Sequence, residues 1–304
     1  MAISLRILSW NLWHGLNPYE KLLMSPMQSR KDHAHRYTRQ LEVLSSWRRS
    51  PNEVCCFQEV NPLASRFDQL SEGIGRDGGA CLVNAGFKLG GLGVPRGLQE
   101  GLAILAGDTC LEAAFDQLTL SGSAFEMQTP LGTPLLTLQG AERRKALLMS
   151  CRLEGLSVAV INLHLHHGPD TGAANLARKR SELERLMEWI RPRIAEWDLV
   201  AICGDFNCEG DSPCLQPLKE AGFEDSAAIA RIDQPPTWSP GENAFAKLSA
   251  ELADRPETRE WDGAPHVFDR IYLKSKRHVS VIKHALLKEP ELSDHFGVWV
   301  ELSL

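Results

Sequence analysis

The chain has 304 residues, of which 43% are hydrophobic, so it is long enough to bury a large core. Its 33 basic and 39 acidic residues give a formal net charge of −6, which argues against a protein that coats nucleic acid without specificity. The eight cysteines contain no C-x-x-C motif, and Cys55, Cys56 and Cys203 lie in apolar runs. We therefore expect buried free thiols in a reducing compartment rather than a disulfide framework.

Short apolar runs alternate with longer helical patterns along the chain, which is typical of an α/β protein. The apolar runs predict strands at residues 4–11, 54–60, 101–106, 146–153, 158–165, 198–207, 266–273 and 295–302. Helical spacing of apolar residues predicts a helix over residues 34–50 and another that begins near Ala174. Residues 233–265 contain five prolines and are interpreted as a long loop. We predict a single domain over residues 1–304, with two packed sheets and helices outside them.

The first ten residues, MAISLRILSW, continue directly into a strand pattern and lack the basic start and cleavage site of a secretory signal. No apolar stretch of the sequence is long enough to cross a bilayer. We find no basic amphipathic helix that would attach the chain to a membrane surface. We expect a cytoplasmic protein without stable membrane association.

Polar residues recur where the predicted strands end. They are Asn11, Glu59, His164, Asp205, Asn207, Asp269, Asp294 and His295. Each of these residues alone could also be a structural turn, cap or surface residue. Together, however, the ends of several central strands can bring them to one common site. Carboxylates that meet there repel one another unless a cation neutralises them, and oxygen ligands without cysteine suit Mg²⁺ or Mn²⁺. Such a site suits phosphoryl chemistry, in which side chains orient an attacking water.

The segments that hold these residues resemble the motifs of the endonuclease/exonuclease/phosphatase superfamily, in the family's order. They are ILSWNLWHG, FQEV, GLAIL, NLHL, GDFN, FDRIYL and LSDHFGV, and the resemblance extends from residue 5 to residue 300. The resemblance implies a DNase-I-like four-layer α/β/β/α sandwich. It also implies a divalent-metal-dependent hydrolase of phosphate ester bonds, a phosphodiesterase or a phosphatase, with Mg²⁺ or Mn²⁺ as its cofactor.

The same resemblance implies roles for the metal ligands and for the residues that handle water. Glu59 resembles the main metal ligand, with Asn11 beside it and Asp294 as a further ligand, direct or through water. Asp205 resembles the residue that orients and deprotonates the nucleophilic water. Asn207 resembles its neighbour, which holds the phosphate or the bound water.

Other residues are implied to contact the phosphate. His295 resembles the histidine on the scissile phosphate, and Asp269 resembles the carboxylate that orients and charges it. His164 resembles a second histidine near the phosphate or the leaving oxygen, although His166 lies on the same face of the strand. Arg144 resembles a basic residue near the phosphate in some members of the family; the alternative is a solvated basic turn.

The sequence indicates the substrate less clearly than the reaction, because members of this family act on nucleic acids, nucleotides, inositol phosphates and sphingomyelin. PPTWSPGEN, followed by FDRIYL and SDHFGVWV, is similar to the carboxyl-terminal part of tyrosyl-DNA phosphodiesterases of the second type. This favours a nucleic-acid end, an adduct or a small phosphodiester. The alternative is a sphingomyelinase-like or inositol-phosphate-phosphatase-like hydrolase. Trp238 either stacks on a base as a substrate-binding residue or anchors its loop on the sheet.

Two other classes of protein stay open. A zinc-dependent hydrolase could use His164, His166 and His167, but the spacing of partner ligands is missing. A catalytically silent binding module would have lost a metal ligand or the water-activating residue, and no principal position is replaced here.

Overall fold

The computed structural model describes most of the chain. The described residues are 3–13, 30–48, 50–84, 88–89, 92–93, 100–128, 134–168, 170, 172–253, 263–289 and 291–304. Within them, no helix has both the length and the hydropathy needed to cross a bilayer.

The described part of the chain contains six α-helices and fourteen strands. The helices are α1 (Arg30–Trp47), α2 (Leu63–Ile74), α3 (Ala173–Ile190), α4 (Gln216–Glu220), α5 (Ser226–Ala230) and α6 (Ala244–Ala253). The strands are β1 (Ser4–Asn11), β2 (Glu53–Val60), β3 (Asp77–Asn84), β4 (Lys88–Leu89), β5 (Leu92–Gly93), β6 (Glu100–Ala106), β7 (Cys110–Gln128), β8 (Pro134–Leu153), β9 (Leu156–His164), β10 (Leu199–Asp205), β11 (Glu224–Asp225), β12 (Asp269–Ser275), β13 (Ser280–Leu287) and β14 (Gly297–Ser303).

These strands form two mixed sheets. The six-stranded sheet has the order β13-β14-β1-β2-β6-β3, and the eight-stranded sheet has the order β11-β12-β10-β9-β8-β4-β5, with β7 paired to β8. In the six-stranded sheet β1 is parallel to β2, and in the eight-stranded sheet β9 is parallel to β10. The parallel pair at the centre of each sheet brings two strand ends to the same edge, as the motifs predicted.

Three of the buried hydrophobic clusters among the described residues define four layers. The central cluster contains Ile7 of the six-stranded sheet and Val160 of the eight-stranded sheet, so the two sheets pack face to face. On the outer face of the eight-stranded sheet, Leu186 of α3 packs on a second cluster. On the outer face of the six-stranded sheet, α1 and α2 contribute Leu44 and Leu70 to a third. The four-layer α/β/β/α sandwich is therefore confirmed.

A buried pair of amides joins the two sheets just below the edge where the motifs end. Nε2 of Gln58 donates to Oδ1 of Asn162 at 2.6 Å, and Nδ2 of Asn162 donates to the backbone oxygens of Phe57 and Ala103 at 2.8 and 3.0 Å. Both amides are completely buried. Because a buried amide without a partner costs free energy, these bonds fix how the sheets sit against each other below the site.

The structure differs most from the sequence expectations in two segments. Residues 233–265 were interpreted as a loop, but α6 lies within them, capped where Oδ1 of Asn243 accepts from the backbone nitrogens of Phe245 and Ala246. The strand expected at residues 146–153 is only the last part of β8, which continues back to Pro134 and pairs with β7.

Candidate active site

Three neighbouring strands of the eight-stranded sheet place polar residues side by side. Asp205 ends β10, and the register pairs it with His164 at the end of β9 and with Asp269 at the start of β12. Gly204, just before Asp205, has a φ of 148°, and a Cβ there would lie 1.9 Å from the carbonyl oxygen of Leu163. Only glycine lets β9 and β10 adopt this close approach, so it helps to place Asp205 beside His164.

Glu59 and Asn11 reach the same place from the six-stranded sheet. The pairing of β2 with β6 shifts register between Phe57 and Val60, and Glu59 within this bulge has a φ of 53°. A bulge re-aims the side chain relative to regular strand alternation. Nδ2 of Asn11 donates to Oε1 of Glu59 at 3.2 Å and to Oδ2 of Asp205 at 3.1 Å. One amide therefore joins a carboxylate of each sheet.

Asp205 is buried in the middle of this group. Its Oδ1 accepts from the backbone nitrogen of Asn207 at 2.9 Å. Its Oδ2 lies 3.4 Å from Nε2 of His164 and 3.8 Å from Nε2 of His295. Burial raises the pKa of Asp205 to about 6, with a further increase from the charge of Asp269 and an opposing effect of His295. A carboxylate with a pKa near neutrality is suited to exchange a proton with water.

His295 and Asp269 form a buried pair. Nδ1 of His295 lies 2.7 Å from Oδ2 of Asp269. Burial by itself would lower the pKa of His295, but the charges of Asp269, Asp205 and Asp294 outweigh it and the pKa lies well above its usual value. The imidazole is therefore favoured in its protonated form, in which both ring nitrogens donate.

The residues around Asp294 fasten the last motif to the end of β1. The hydroxyl of Ser293 donates to the backbone oxygen of Asn11 at 2.5 Å and accepts from the backbone nitrogen of His295 at 3.1 Å. Oδ2 of Asp294 accepts from the hydroxyl of Ser249 in α6 at 2.9 Å. Asp294 is 7% exposed. It therefore lies at the side of the group, within electrostatic reach of His295.

Asn207 is held by a buried lysine that sequence reasoning missed. Asn207 has a φ of 50°, and its Nδ2 donates to the backbone oxygen of Leu165 at 3.2 Å. Nζ of Lys179, on α3 and completely buried, donates to the backbone oxygens of Asn207 and Gly168. Nζ of Lys179 also forms an ion pair with Asp170 at 2.8 Å. The lysine therefore ties the segment after β10 to the segment after β9.

A buried arginine of α1, also missed, supports the opposite side of the group. One terminal nitrogen of Arg36 donates to the backbone oxygens of Leu12 and Leu292 at 2.8 and 3.2 Å. Burial lowers the pKa of Arg36, while the charges of Asp294 and Glu59 oppose this. Arg36 therefore joins the segment after β1 to the segment before β14 and places a positive charge near two candidate metal ligands.

Arg144 lies on β8 and is 2% exposed, so the alternative of a solvated turn is excluded. Burial lowers the pKa of His164 well below its usual value, and the charge of Arg144 lowers it further. His164 is therefore favoured as a neutral imidazole. Arg144 also interacts electrostatically with Glu182 of α3, whose Oε2 accepts from the backbone nitrogen of His166 at 2.8 Å. These contacts place Arg144 at the His164 side of the group.

Trp238 supports the site through its backbone. Its ring is 5% exposed, and it lies 6.0 Å from the ring of Phe268 and 5.8 Å from that of His266. Its backbone forms bridges with His266 and His295. The burial of Trp238 favours a role as a loop anchor over a role in stacking on a base. Its backbone bridges connect the turn at Thr237 and Trp238 to the segment that carries His295.

The donor set at this edge fits a hard divalent cation. Oxygens of Glu59 and Asp205 meet at the amide of Asn11, and Oδ1 of Asp269 is buried without a hydrogen bond among the described residues. Burial and the charge of Asp269 already raise the pKa of Asp205. A bound cation would offset this accumulation of buried negative charge, and carboxylate and amide oxygens suit Mg²⁺ or Mn²⁺.

One compact group of potential ligands stands out in the described part of the chain. It consists of Asp205, Asp269 and His295, whose ligand atoms all lie within 4.8 Å of one another. These three differ from the ligands that the sequence implied. A protonated imidazole does not bind a metal, and Nδ1 of His295 is already bonded to Asp269. Among the described residues, no comparable group contains His164, His166 or His167.

Comparison with known proteins identifies the fold. No family model matches the chain, and no curated protein matches it significantly. Solved structures match over nearly the whole length. They include a functionally unknown conserved protein from Enterococcus faecalis V583 (20% identity, TM-score 0.65, 98% of this chain and 99% of that one). An endonuclease/exonuclease/phosphatase from Bacteroides vulgatus matches with 17% identity and a TM-score of 0.65, covering 99% of both chains.

TDP2 is also among the similar structures. TDP2 from D. rerio, complexed with a single-strand DNA product, shares 15% identity with this chain at a TM-score of 0.59 and 99% coverage of both. The resemblance to the endonuclease/exonuclease/phosphatase superfamily is thereby confirmed for the fold, which is the DNase-I-like sandwich.

Proposed function

We propose that this protein is a divalent-metal-dependent hydrolase of phosphate ester bonds, acting as a single domain over residues 1–304. The observation that carries the proposal is the amide of Asn11, which joins Glu59 of one sheet to Asp205 of the other. Around this junction lie a buried imidazole–carboxylate pair and a second histidine. Carboxylates, amides and histidines from both sheets are thus combined at one edge of the fold.

Glu59, with Asn11 and Asp294 nearby, is the proposed holder of Mg²⁺ or Mn²⁺. When bound, the cation supplies positive charge that offsets the charge of the phosphate and of the transition state. Arg36 interacts electrostatically with Glu59 and Asp294. Its guanidinium group also donates to the backbone oxygens of Leu12 and Leu292, in the segments after β1 and before β14. We assign to Arg36 a positioning role.

Asp205 is the proposed acceptor of the proton from the attacking water. It is oriented by Asn11 on one oxygen and by the backbone nitrogen of Asn207 on the other. A pKa of about 6 leaves it ionised at neutral pH but able to take up a proton. Lys179 holds the carbonyl group of Asn207 and so keeps this backbone donor in place.

His295, held by Asp269, is the proposed donor to a non-bridging oxygen of the phosphate. The protonated imidazole carries a positive charge, which complements the charge that develops on the phosphate in the transition state. His164 is favoured as neutral, so it can offer a ring N–H near the leaving oxygen without adding charge. Arg144 contributes positive charge at the same side.

We propose a nucleic-acid end, an adduct or a small phosphodiester as the substrate. The sequence similarity to tyrosyl-DNA phosphodiesterases in the carboxyl-terminal part supports this choice. So does the TDP2 structure that holds a single-strand DNA product, although that likeness concerns the fold. The acidic total charge opposes a long duplex as the substrate. A sphingomyelinase-like or inositol-phosphate-phosphatase-like hydrolase is the alternative within the same chemistry.

An activity screen with Mg²⁺ and with Mn²⁺ tests the proposal. The substrates are single-stranded DNA with a free or tyrosyl-linked 5′ end, a nucleotide, an inositol phosphate and sphingomyelin, with bis(p-nitrophenyl) phosphate as a general probe. We expect metal-dependent release of product from at least one nucleic-acid end. Hydrolysis confined to inositol phosphate or sphingomyelin would support the alternative. Binding without turnover of any substrate would support the silent module.

A further inference from the structure

A cavity lies at the other end of the strands that carry Asp205 and Asp269 of the candidate active site. It has a volume of about 390 Å³ and lies between the end of α3, the start of β10 and the end of β12. Val200 of β10 and Lys274 of β12 line it, whereas Asp205 and Asp269 lie at the opposite ends of the same strands. Five residues of a strand span about 17 Å, so the cavity is separate from the active site.

The floor of this cavity is apolar. Met187, Trp197 and Val200 form it, and they are 3%, 7% and 1% exposed. Ile194 and Ala221 form parts of the walls. An apolar or aromatic group that enters the cavity would be removed from water on contact with these side chains, which is the general property of small-molecule sites.

The rim of the cavity is positively charged. Arg191, Lys274 and Lys276 line it, and none of its described lining residues is acidic; Asp198, outside the lining, interacts electrostatically with Lys276. Nζ of Lys276 donates to the backbone oxygen of Ala195 at 2.6 Å, and Nζ of Lys274 donates to that of Ala221. An ammonium group has three N–H donors, so one carbonyl bond fixes each lysine and leaves donors for an anion. This concentration of positive charge contrasts with the net charge of −6 of the whole chain.

We propose that this cavity binds a small organic phosphate monoester, with the phosphate at the cationic rim and the organic part on the apolar floor. Three cations in one lining, where no described residue is acidic, favour a dianion over a monocarboxylate, because each additional negative charge gains Coulomb energy from all three. The apolar floor distinguishes such an ester from inorganic phosphate. The site is distinct from the catalytic group and does not depend on the proposed hydrolysis.

Isothermal titration calorimetry with phenyl phosphate in EDTA tests this site. The key variant is Arg191→Gln/Lys276→Gln, which removes two rim charges at exposed positions. The matched control is Arg185→Gln/Lys283→Gln, which removes the same charge from exposed positions of α3 and β13 outside the lining. Ala221→Phe keeps every charge and occupies part of the cavity with a bulky ring, so it gives a second test if the key variant is unstable. Inorganic phosphate serves as the ligand without an apolar part.

We expect one phenyl phosphate per chain for the wild type and the matched control. Both the key variant and Ala221→Phe should bind at least about tenfold more weakly, which corresponds to about 1.4 kcal/mol. Inorganic phosphate should bind more weakly than phenyl phosphate to the wild type. The proposal is overturned if the wild type shows no binding, or if the key variant binds like its control. Equal binding of the two ligands would also overturn it, as would a loss of binding in His295→Ala, which would place the ligand in the active site.

Discussion

Replacing Asp269 by asparagine separates the charge of this side chain from its volume. Oδ2 of Asp269 lies 2.7 Å from Nδ1 of His295, and the aspartate is completely buried. Asparagine can still accept from the imidazole, but a neutral hydrogen bond replaces a charge-assisted one, at a cost of about 1–2 kcal/mol. If the protonated imidazole stabilises the transition state, kcat should fall by about five- to thirtyfold. His295→Ala, which removes the donor, should lower kcat by a factor of about a hundred to a thousand.

The double variant gives the sharper test, because Asp269 is proposed to act chiefly through His295, with a smaller effect on the pKa of Asp205. Asp269→Asn should therefore have little further effect on kcat in the His295→Ala background. The free energy of unfolding, by contrast, should rise when the second substitution is added. His295→Ala leaves a buried carboxylate without its partner, at a cost of about 3–5 kcal/mol, and the second substitution removes that charge. The double variant should therefore unfold at a higher urea concentration than His295→Ala alone.

Turnover of bis(p-nitrophenyl) phosphate and urea unfolding should be measured on the same preparations, with kcat expressed per folded molecule. If these residues only stabilised the strand ends, the variants would unfold earlier while kcat per folded molecule stayed near that of the wild type. That result would refute the reasoning. If Asp269→Asn lowered kcat in the His295→Ala background by the same factor as in the wild type, the assignment of Asp269 to the imidazole would be refuted.

Three further outcomes are expected. Activity should vanish in EDTA and return with Mg²⁺ or Mn²⁺, and full activity after exhaustive chelation would contradict the metal requirement. Glu59→Gln should keep the fold while weakening the metal dependence. Asp205→Asn should lower kcat by a factor of about a hundred to ten thousand with substrate binding retained, and near-wild-type turnover of the folded variant would end the assignment. Lys179→Met should lower the free energy of unfolding by about 3 kcal/mol and also reduce kcat, while Arg185→Gln on the same helix should change neither.

The strand ends could be predicted from the sequence because their motifs are local. Asn11, Glu59, His164 and Asp205 lie at or near the ends of apolar runs, and the parallel pairs β1–β2 and β9–β10 carry those ends to a common edge. Asp269 starts β12, and Asp294 and His295 lie just before β14. By contrast, β3 has the sequence DGGACLVN, whose two glycines suggest a loop. It forms a strand because it pairs with β6, where Gly78 lies against the backbone of Ile104. This pairing partner is distant in sequence and leaves no local signal.

The supporting residues were missed for a related reason. Lys179 and Arg36 look like surface charges on amphipathic helices, yet both are buried. A signal did exist: Lys179 lies on the helix face defined by Leu176 and Leu183, and Arg36 lies on the same face as Leu44, two turns later. A charged residue within an apolar helix stripe indicates a buried partner. The identity of that partner depends on tertiary packing and could not be predicted from spacing.

The charges at the strand ends also bear on the choice between a catalyst and a silent binding module. A module that binds a phosphate ester by itself needs cations facing the ligand, because a phosphate is repelled by carboxylates. Here Glu59, Asp205 and Asp269 meet at the same edge, and the charge of Asp269 helps to raise the pKa of buried Asp205. Such a group is unfavourable for an anionic ligand unless a cation lies between them. The arrangement therefore favours a metal-dependent site, in which Glu59 would hold the cation and Asp205 would accept a proton from water.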